Sequence, residues 1–367
     1  MKHITKILFV ILATISFSSV NAGELTVTGA AKASYAITSS DNAASNLNQA
    51  KGVGVENDMS FGASGELDNG WTWSYANDFD TGTAIDDSAL KITTPFGMFG
   101  IFSDEGGVGS DVGWNASVVA RPSDTSFNEA MAGEYDSSAL NNIQYSTPAG
   151  LIPYETVFDI AYAPGTETSP ADADAQGADS VYTTFLSTTA TNMNTAGTGI
   201  QTTEDMGASL TQYRLTTKPI DGLTLGASYS DFDMEDQVMS QKAESGSWYA
   251  KYAIGGVTAG YGKVYIAYPI TNTATAYTNN VEDVKGSSYS IAFAVNDDLS
   301  VSYTNEKSKP SFQTNATLAY EMESSGLQAA YTMGGMTLSI AMNEHENATY
   351  TQNYDIKDTL FRVSMAF

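Results

Sequence analysis

The sequence of 367 residues contains no cysteine and only two histidines. A chain without cysteine has no disulfide framework and no thiol nucleophile. His3 lies in the leader and His345 in the predicted last long loop, so metal sites built from several Cys and His ligands are excluded. Scattered carboxylates could pair in a hydrolase, but acids spread through loops are typical of a solvated surface. These absences predict that the protein is not an enzyme.

Basic residues are scarce as well: 16 Lys and Arg stand against 42 Asp and Glu, for a net charge of −26. This acidity excludes nucleic acid as a partner, because nucleic-acid binding requires a basic surface. It also leaves no basic surface for anionic lipid headgroups. After residue 22 no apolar run approaches the length of a membrane helix. If the chain enters a membrane, we expect it to do so with strands.

The first residues have the pattern of an export signal. Lys2, His3 and Lys6 give a positive start, residues 7–17 are apolar, and small residues occupy 18–22. We predict a signal peptide over 1–22 and a mature chain over 23–367. The alternative is a membrane anchor, but the apolar run falls short of the roughly 20 residues that such a helix needs. Removal of Lys2 and Lys6 changes the net charge from −26 to −28.

Alternation of apolar and polar residues with a period of two recurs along the mature chain. Trp71, Trp73 and Tyr75, for example, alternate with Thr72 and Ser74. Such alternation predicts β-strands with one apolar face and one polar face. The same pattern occurs at 59–64, 223–229, 248–254, 289–295, 299–303, 327–333 and 336–342.

Short and long connections between these strands alternate strictly. The predicted tight turns lie at 68–70, 96–98, 148–153, 219–222, 255–256, 296–298 and 334–335. The predicted long loops lie at 38–56, 80–86, 104–139, 164–205, 233–245, 269–286, 307–320 and 344–356. In an up-and-down sheet every second connection lies at the same end, which predicts about sixteen antiparallel strands in a barrel. A soluble β-sandwich is the alternative, but its Greek-key crossovers would not sort connections by length.

The last strand carries a further signal. Phe361, Val363, Met365 and the terminal Phe367 alternate with polar or small residues. This ending resembles the C-terminal signature by which the β-barrel assembly machinery recognises Gram-negative outer-membrane barrels. We therefore expect these four residues to act as an assembly signal.

Three segments carry a resemblance to one family. They are Met59-Ser60-Phe61-Gly62-Ala63-Ser64-Gly65-Glu66-Leu67-Asp68-Asn69-Gly70, Phe96-Gly97-Met98-Phe99-Gly100 and Asn142-Ile143-Gln144-Tyr145-Ser146-Thr147-Pro148. With its layout, the chain resembles the general, non-specific trimeric porins of Gram-negative bacteria, and is particularly similar to those of alphaproteobacteria. The resemblance implies a transmembrane barrel with short periplasmic turns, long extracellular loops and an inward-folded third loop that narrows the pore.

The segment that matches this constriction loop is 104–139. Its acids are expected to line the constriction: Asp104, Glu105, Asp111, Asp124, Glu129, Glu134 and Asp136. In the family a basic wall faces the loop, and alternation points five bases inward: Lys32, Lys91, Arg214, Lys251 and Arg362. A Lys or Arg facing lipid at midplane costs about 2–4 kcal/mol, which favours the inward position. Lys263 has the parity of the apolar face, and we expect it at the barrel rim.

A barrel of about sixteen strands leaves an aqueous channel. We therefore expect a porin for passive diffusion of small hydrophilic solutes and ions, weakly cation-preferring, in the cell outer membrane. The alternatives are a substrate-specific outer-membrane channel and a structural or adhesive surface barrel with a plugged lumen. Expected partners are outer-membrane lipid, lipopolysaccharide, the assembly machinery and two further copies in a homotrimer. We expect no cofactor, with weak Ca²⁺ binding at acidic loop segments, such as 172–179 and 231–236, as an alternative to a solubilising surface.

Overall fold

The computed structural model describes residues 25–40, 50–80, 87–125, 133–164, 209–233, 239–268, 270–271, 281–312, 320–350 and 352–366. The predicted signal peptide and Phe367 lie outside these residues. Sixteen strands form one closed antiparallel barrel, and β10 and β13 form a separate two-stranded sheet. The predicted fold class is therefore confirmed.

The strands follow one another with little other regular structure. The first nine are β1 (Leu25–Ser40), β2 (Ala50–Glu66), β3 (Thr72–Asp80), β4 (Ser88–Thr94), β5 (Gly97–Ser103), β6 (Asn142–Ser146), β7 (Val157–Ala163), β8 (Ser209–Ile220) and β9 (Leu223–Asp233). The others are β10 (Met239–Gln241), β11 (Glu244–Ile254), β12 (Val257–Ala267), β13 (Ile270–Thr271), β14 (Val281–Ala294), β15 (Leu299–Phe312), β16 (Met322–Met333), β17 (Met336–Glu346) and β18 (Ile356–Ala366). Short 3-10 turns occupy Pro122–Asp124, Ser137–Ala139 and Ala348–Tyr350.

The first and last strands close the barrel. Lys32 on β1 lies opposite Glu56 on β2 and, on its other side, opposite Ser364 on β18. Every other barrel strand pairs with its predecessor and its successor in the barrel. Closure satisfies the backbone donors and acceptors that an open sheet would leave unpaired at its edges.

All seven short connections lie at one end, here called the turn end, and the long connections lie at the other, the loop end. Gly70 and Gly334 have φ angles of 80° and 61° in two of the tight turns. Glycine adopts these left-handed conformations without steric cost, which is why such residues mark the hairpins in the sequence.

Several strands extend further towards the loop end than the sequence predicts. Predicted loops 38–56, 269–286 and 307–320 were too long, because β1 ends at Ser40, β14 begins at Val281 and β15 continues to Phe312. In these extensions the regular alternation is broken, because Asp283 and Val284 on β14 are adjacent and both buried, and Lys307, Ser308 and Lys309 follow one another on β15. Backbone pairing nevertheless continues. The predicted position of His345 is corrected in the same way, because this residue lies on β17 and not in the last loop.

Large apolar side chains project outward at alternate positions. Trp248, Tyr252 and Ile254 on β11 are 46%, 40% and 62% exposed. Lys263 is on this outward face as well, opposite Trp248 and Ser287 in the two adjacent strands. Among the described residues, no helix has the length and hydropathy needed to span a bilayer.

The loop end of the interior contains an apolar core. Leu210, Phe232, Ile266 and Met322 point inward from β8, β9, β12 and β16 and pack around Tyr135 of segment 104–139. This core lies against strands β7 to β16, so it occupies one side of the barrel interior.

Candidate functional site

The described parts of the segment 104–139, which are residues 104–125 and 133–139 and are here called the inner segment, lie along the inner wall of the barrel. Ala116 N donates to Ser290 Oγ at 2.8 Å, and Val118 N donates to Ser302 Oγ at 3.0 Å. The amide of Gln328 accepts from Val119 N at 3.0 Å. Buried backbone donors need partners, and the polar inward face of the strands supplies them here. Small hydroxyl and amide side chains on β14 to β16 therefore hold an otherwise irregular segment.

A buried carboxylate anchors the middle of the inner segment. Glu306 on β15 is 1% exposed and accepts from the backbone and hydroxyl of Ser123, at 3.1 Å and 2.9 Å. Arg121 Nη1 lies 3.6 Å from the same carboxylate and its Nε bonds Asp124 at 2.7 Å. The single arginine of this segment thus compensates two acids, one of them on the wall.

A second anchor follows at Thr125. Asn343 donates to Thr125 Oγ1 at 2.6 Å and to Asp358 Oδ2 at 3.1 Å. His345 completes the network, with Nε2 2.9 Å from Asp358 and Nδ1 2.9 Å from the hydroxyl of Ser324. Ser324, His345 and Asp358 form a series that serine hydrolases also use, but all three side chains are enclosed. A nucleophile must be reachable by its substrate, so this network is an anchor between strands and segment.

The returning part of the inner segment is fixed to β8, β9 and β11. Tyr135 N donates to Ser245 Oγ at 2.8 Å, and Ser137 N donates to the amide oxygen of Gln212 at 2.8 Å. Gln212 and Ser230 both donate to the carbonyl of Tyr135. The inner segment therefore bonds to the wall over an arc from β8 to β18.

Glu134 is buried at the centre of this return. Its carboxylate accepts from the hydroxyl of Ser228 at 2.7 Å, from Ser247 at 3.2 Å and from the backbone of Ser110. Burial and, next, the negative charge of nearby Asp111 raise the pKa of Glu134 to about 7, against the hydrogen bonds from Ser228 and Ser110, which lower it. Burial likewise raises the pKa of Asp111.

The other predicted constriction acids differ in their surroundings. Asp136 accepts from the backbone of Val108 at 3.2 Å and of Gly109 at 3.0 Å, and also caps the 3-10 turn Ser137–Ala139. Asp104 and Glu105 are half-buried where the segment leaves β5, and Glu129 lies outside the described residues. Glu134 and Asp136 thus hold the segment in place, whereas Asp124 is exposed beside Arg121.

The five predicted wall bases all have inward parity. Arg214 bonds Asp159 at 2.9 Å, and Lys251 donates to the carbonyl of Asn115 at 3.3 Å, so these two lie near the inner segment. Lys32 is 3.6 Å from Glu56, and Lys91 lies over the ring of Phe102 at 5.2 Å. Arg362 Nε is buried without a hydrogen-bond partner among the described residues. Lys32, Lys91 and Arg362 lie on β1, β4 and β18.

Besides the buried Glu306 and Asp358, three acids of the wall were not predicted. Glu56, Asp58 and Asp78 point inward from β2 and β3, and the side chain of Glu56 is 58% exposed. Parity would have identified them: Glu56 and Asp58 have the parity of Ser60, opposite to Met59. The predicted loop over 38–56 placed Glu56 outside the strands.

The C-terminal pattern lies on the outer face. Phe361 and Met365 are 44% and 50% exposed, Val363 shares their parity, and Phe361 stacks on Tyr35 with ring centroids 6.5 Å apart. Among the described residues no group of three or more His, Cys, Asp or Glu side chains is placed to hold a metal ion. The acidic segment 172–179 lies outside the described residues.

Comparison with known proteins gives matches in structure only. No protein-family model and no curated protein matches the sequence. An anion-selective porin from Comamonas acidovorans superposes with a TM-score of 0.64 at 11% identity, over 94% of this chain and 100% of that one. A porin structure refined at 1.8 Å gives 0.59 at 14% identity, over 94% and 100%. The outer-membrane-expressed OmpT of Vibrio cholerae gives 0.59 at 11% identity, over 96% and 100%. The chain therefore has the fold of these three structures, two of which are described as porins.

Proposed function

We propose that the protein is an outer-membrane porin through which small hydrophilic solutes and ions diffuse passively. The observation that carries the proposal is a closed barrel of sixteen strands with one long segment docked on the inside of its wall. A barrel of eight strands is filled by its own side chains, whereas a barrel of sixteen strands leaves an aqueous channel. The inner segment and the apolar core narrow this channel from the β8–β17 side.

The outer face supports a membrane location. Apolar side chains alternate around the barrel exterior, with Lys263 and the Glu344–Lys357 pair as exceptions, and polar side chains such as Gln212, Ser290 and Gln328 point inward. A closed barrel is one of the two structures that satisfy every backbone group within a bilayer. Similarity to an outer-membrane protein of Vibrio cholerae favours the outer membrane, and the pattern at 1–22 supplies the export signal.

A weak cation preference is part of the proposal. The fold does not set the sign of ion preference, since a porin described as anion-selective shares it. The charges close to the passage set this sign, because the field of charges further than about 8 Å away is screened at physiological salt. Asp104, Glu105 and the three wall acids outnumber Lys32, Lys91 and Arg362 in the passage next to β1–β4.

The oligomeric state and the partners of the protein are part of the same proposal. We propose a homotrimer, as the resemblance to general porins implies, and contacts with outer-membrane lipid and lipopolysaccharide around the barrel. The assembly machinery is the proposed reader of Phe361, Val363, Met365 and Phe367. Weak Ca²⁺ binding at acidic loop segments and kinship with alphaproteobacterial porins stay predictions.

One observation favours a second candidate, a surface barrel with a plugged lumen. Tyr135, Leu210, Phe232 and Ile266 form an apolar plug on one side of the loop end. In that case the interior would be structural and would pass no solute.

Swelling of proteoliposomes in sugars of increasing size separates the two candidates. A porin admits small sugars without an energy source and excludes larger ones, so swelling rates fall steeply with solute size. Liposomes that never swell, although the protein is inserted and gives a β-type circular dichroism spectrum, would favour the plugged barrel.

A further inference from the structure

Two glycines on β12 form a seat for the inner segment. Gly260 and Gly262 face the interior, and Trp114 lies directly on them with only 2% of its surface exposed. A Cβ atom on Gly260 would be 2.8 Å from the carbonyl carbon of Trp114. One on Gly262 would be 2.9 Å from the indole Cγ. Both distances are shorter than real Cβ contacts, so the close approach requires glycine at both positions.

A second glycine contact lies beside the first. The ring of Tyr249 on β11 fits between Gly113 of the inner segment and Gly226 of β9. A Cβ on Gly113 would be 2.5 Å from Tyr249 Cζ, and one on Gly226 would be 2.7 Å from the same atom. Residues 113 and 114 therefore press against the wall at two adjacent strands.

Polar contacts fix the seated segment. Trp114 Nε1 donates to the carbonyl of Asp111 at 2.6 Å, and Ser290 Oγ donates to the carbonyl of Trp114 at 3.1 Å. Lys251 donates to Asn115 O at 3.3 Å. The glycines leave space for the indole ring of Trp114, and these hydrogen bonds fix its orientation. Because the ring fits closely against the wall, it cannot shift without losing its packing contacts and its hydrogen bonds.

We infer that Gly260 and Gly262 are positioning residues that set the width of the channel, by letting the inner segment lie flush on the wall. The inference rests on the proposed porin function. Side chains at these positions would displace the backbone of Trp114 towards the lumen and break the bonds to Ser290 and Lys251. Because these bonds begin the series that continues to Ser302 and Gln328, their loss would release the outbound half of the segment. A segment released from the wall would no longer exclude larger solutes from the channel.

The test is single-channel conductance and sugar sieving of the full-length variant Gly260→Ala/Gly262→Ala. The matched control is Gly52→Ala/Gly54→Ala, which adds the same two methyl groups to the inner wall of β2. There a Cβ on Gly52 meets nothing within 4 Å and one on Gly54 meets only Ser34 Oγ at 3.4 Å. We expect higher conductance and loss of exclusion of larger sugars for the β12 variant, and wild-type values for the control.

A disulfide provides the rescue. Ser117 Oγ and Thr304 Oγ1 are 2.6 Å apart, and the chain has no cysteine of its own. Ser117→Cys/Thr304→Cys, added to the β12 variant and oxidised, should return the conductance towards wild type, and reduction should raise it again. A disulfide needs its two Cβ atoms within roughly 3.5–4.5 Å, so its formation also reports that the segment can still reach the wall.

A β12 variant that conducts and sieves as the control does would overturn the inference. If that variant is not recovered as a barrel, Trp114→Ala provides the test. This change removes the indole ring that lies on the two glycines and leaves every strand unchanged. Its conductance should rise, and a wild-type value would reject the seat. A wild-type protein without any conductance would instead reject the proposed function.

Discussion

At the scale of single residues, carboxylates in the barrel interior have three kinds of environment. Glu134 is enclosed by hydroxyl groups and other acids, Asp124 is paired with Arg121, and Glu56 is largely exposed to the lumen. Of these three, Glu56 is the most exposed, and Lys32 at 3.6 Å offsets part of its charge. Counting acids in a segment therefore overestimates its field.

Glu134 makes docking of the inner segment dependent on pH. Its docked pKa is about 7, above the ordinary 4.5, because burial and Asp111 and Asp136 disfavour the charged form. The docked state therefore binds the proton more tightly than the released state, so docking is strongest below pH 4.5 and weakens as pH rises through 7. We expect current noise from segment motion to increase from pH 5 to pH 8, as measured on single open channels.

Glu134→Gln keeps the shape and the neutral form, so its noise should be low and independent of pH. Glu344→Gln serves as the control, because Glu344 is exposed on the outer face and paired with Lys357. Persistence of the full pH dependence in Glu134→Gln would show that another group is responsible.

The wall acids of β2 and β3, of which Glu56 is exposed and Asp58 and Asp78 are half-buried, are expected to dominate ion preference. Replacing Glu56, Asp58 and Asp78 by their amides should shift the reversal potential in a salt gradient towards anions. Neutralising acids in 164–205, which the sequence predicts to be a loop away from the constriction, should shift it far less. Equal shifts from the two sets would contradict this assignment.

At the scale of elements, the strands could be predicted from the sequence and the inner segment only in part. Alternation in 248–254 and 327–333 follows from one face meeting an apolar environment, and tight turns follow from glycine conformations. Where β15 extends through Lys307 and Lys309, both faces are polar and the signal vanishes. The partners of Glu134 and Trp114 could not be predicted, because hydroxyls and glycines of β9, β11, β12 and β14 meet them only after closure.

The last strand has two roles, closing the barrel with β1 and carrying the predicted assembly signal. Replacing Phe367 by Asp should reduce insertion into the outer membrane more than Tyr303→Asp, an outward aromatic on β15. Insertion is measured as the fraction of protein in the outer membrane that resists unfolding in cold detergent. Equal losses would mean that the terminal aromatic is an ordinary strand residue.

At the scale of the whole molecule, two filled regions and one open wall define the passage. The apolar core and the inner segment lie on strands β7 to β18, whereas β1 to β4 present Lys32, Glu56, Asp58 and Lys91 to the interior. The remaining space is bounded by charge on one side and by a docked backbone on the other. In the proposed porin, such an interior would suit ions and small polar solutes, and its width would depend on the segment staying docked.

Single-channel recording of the purified protein in a planar bilayer under a salt gradient tests this account most directly. We expect a discrete conductance step at each insertion and a reversal potential that indicates preference for cations. Insertion without conductance steps would contradict the account, because a closed interior would then leave no water-filled passage.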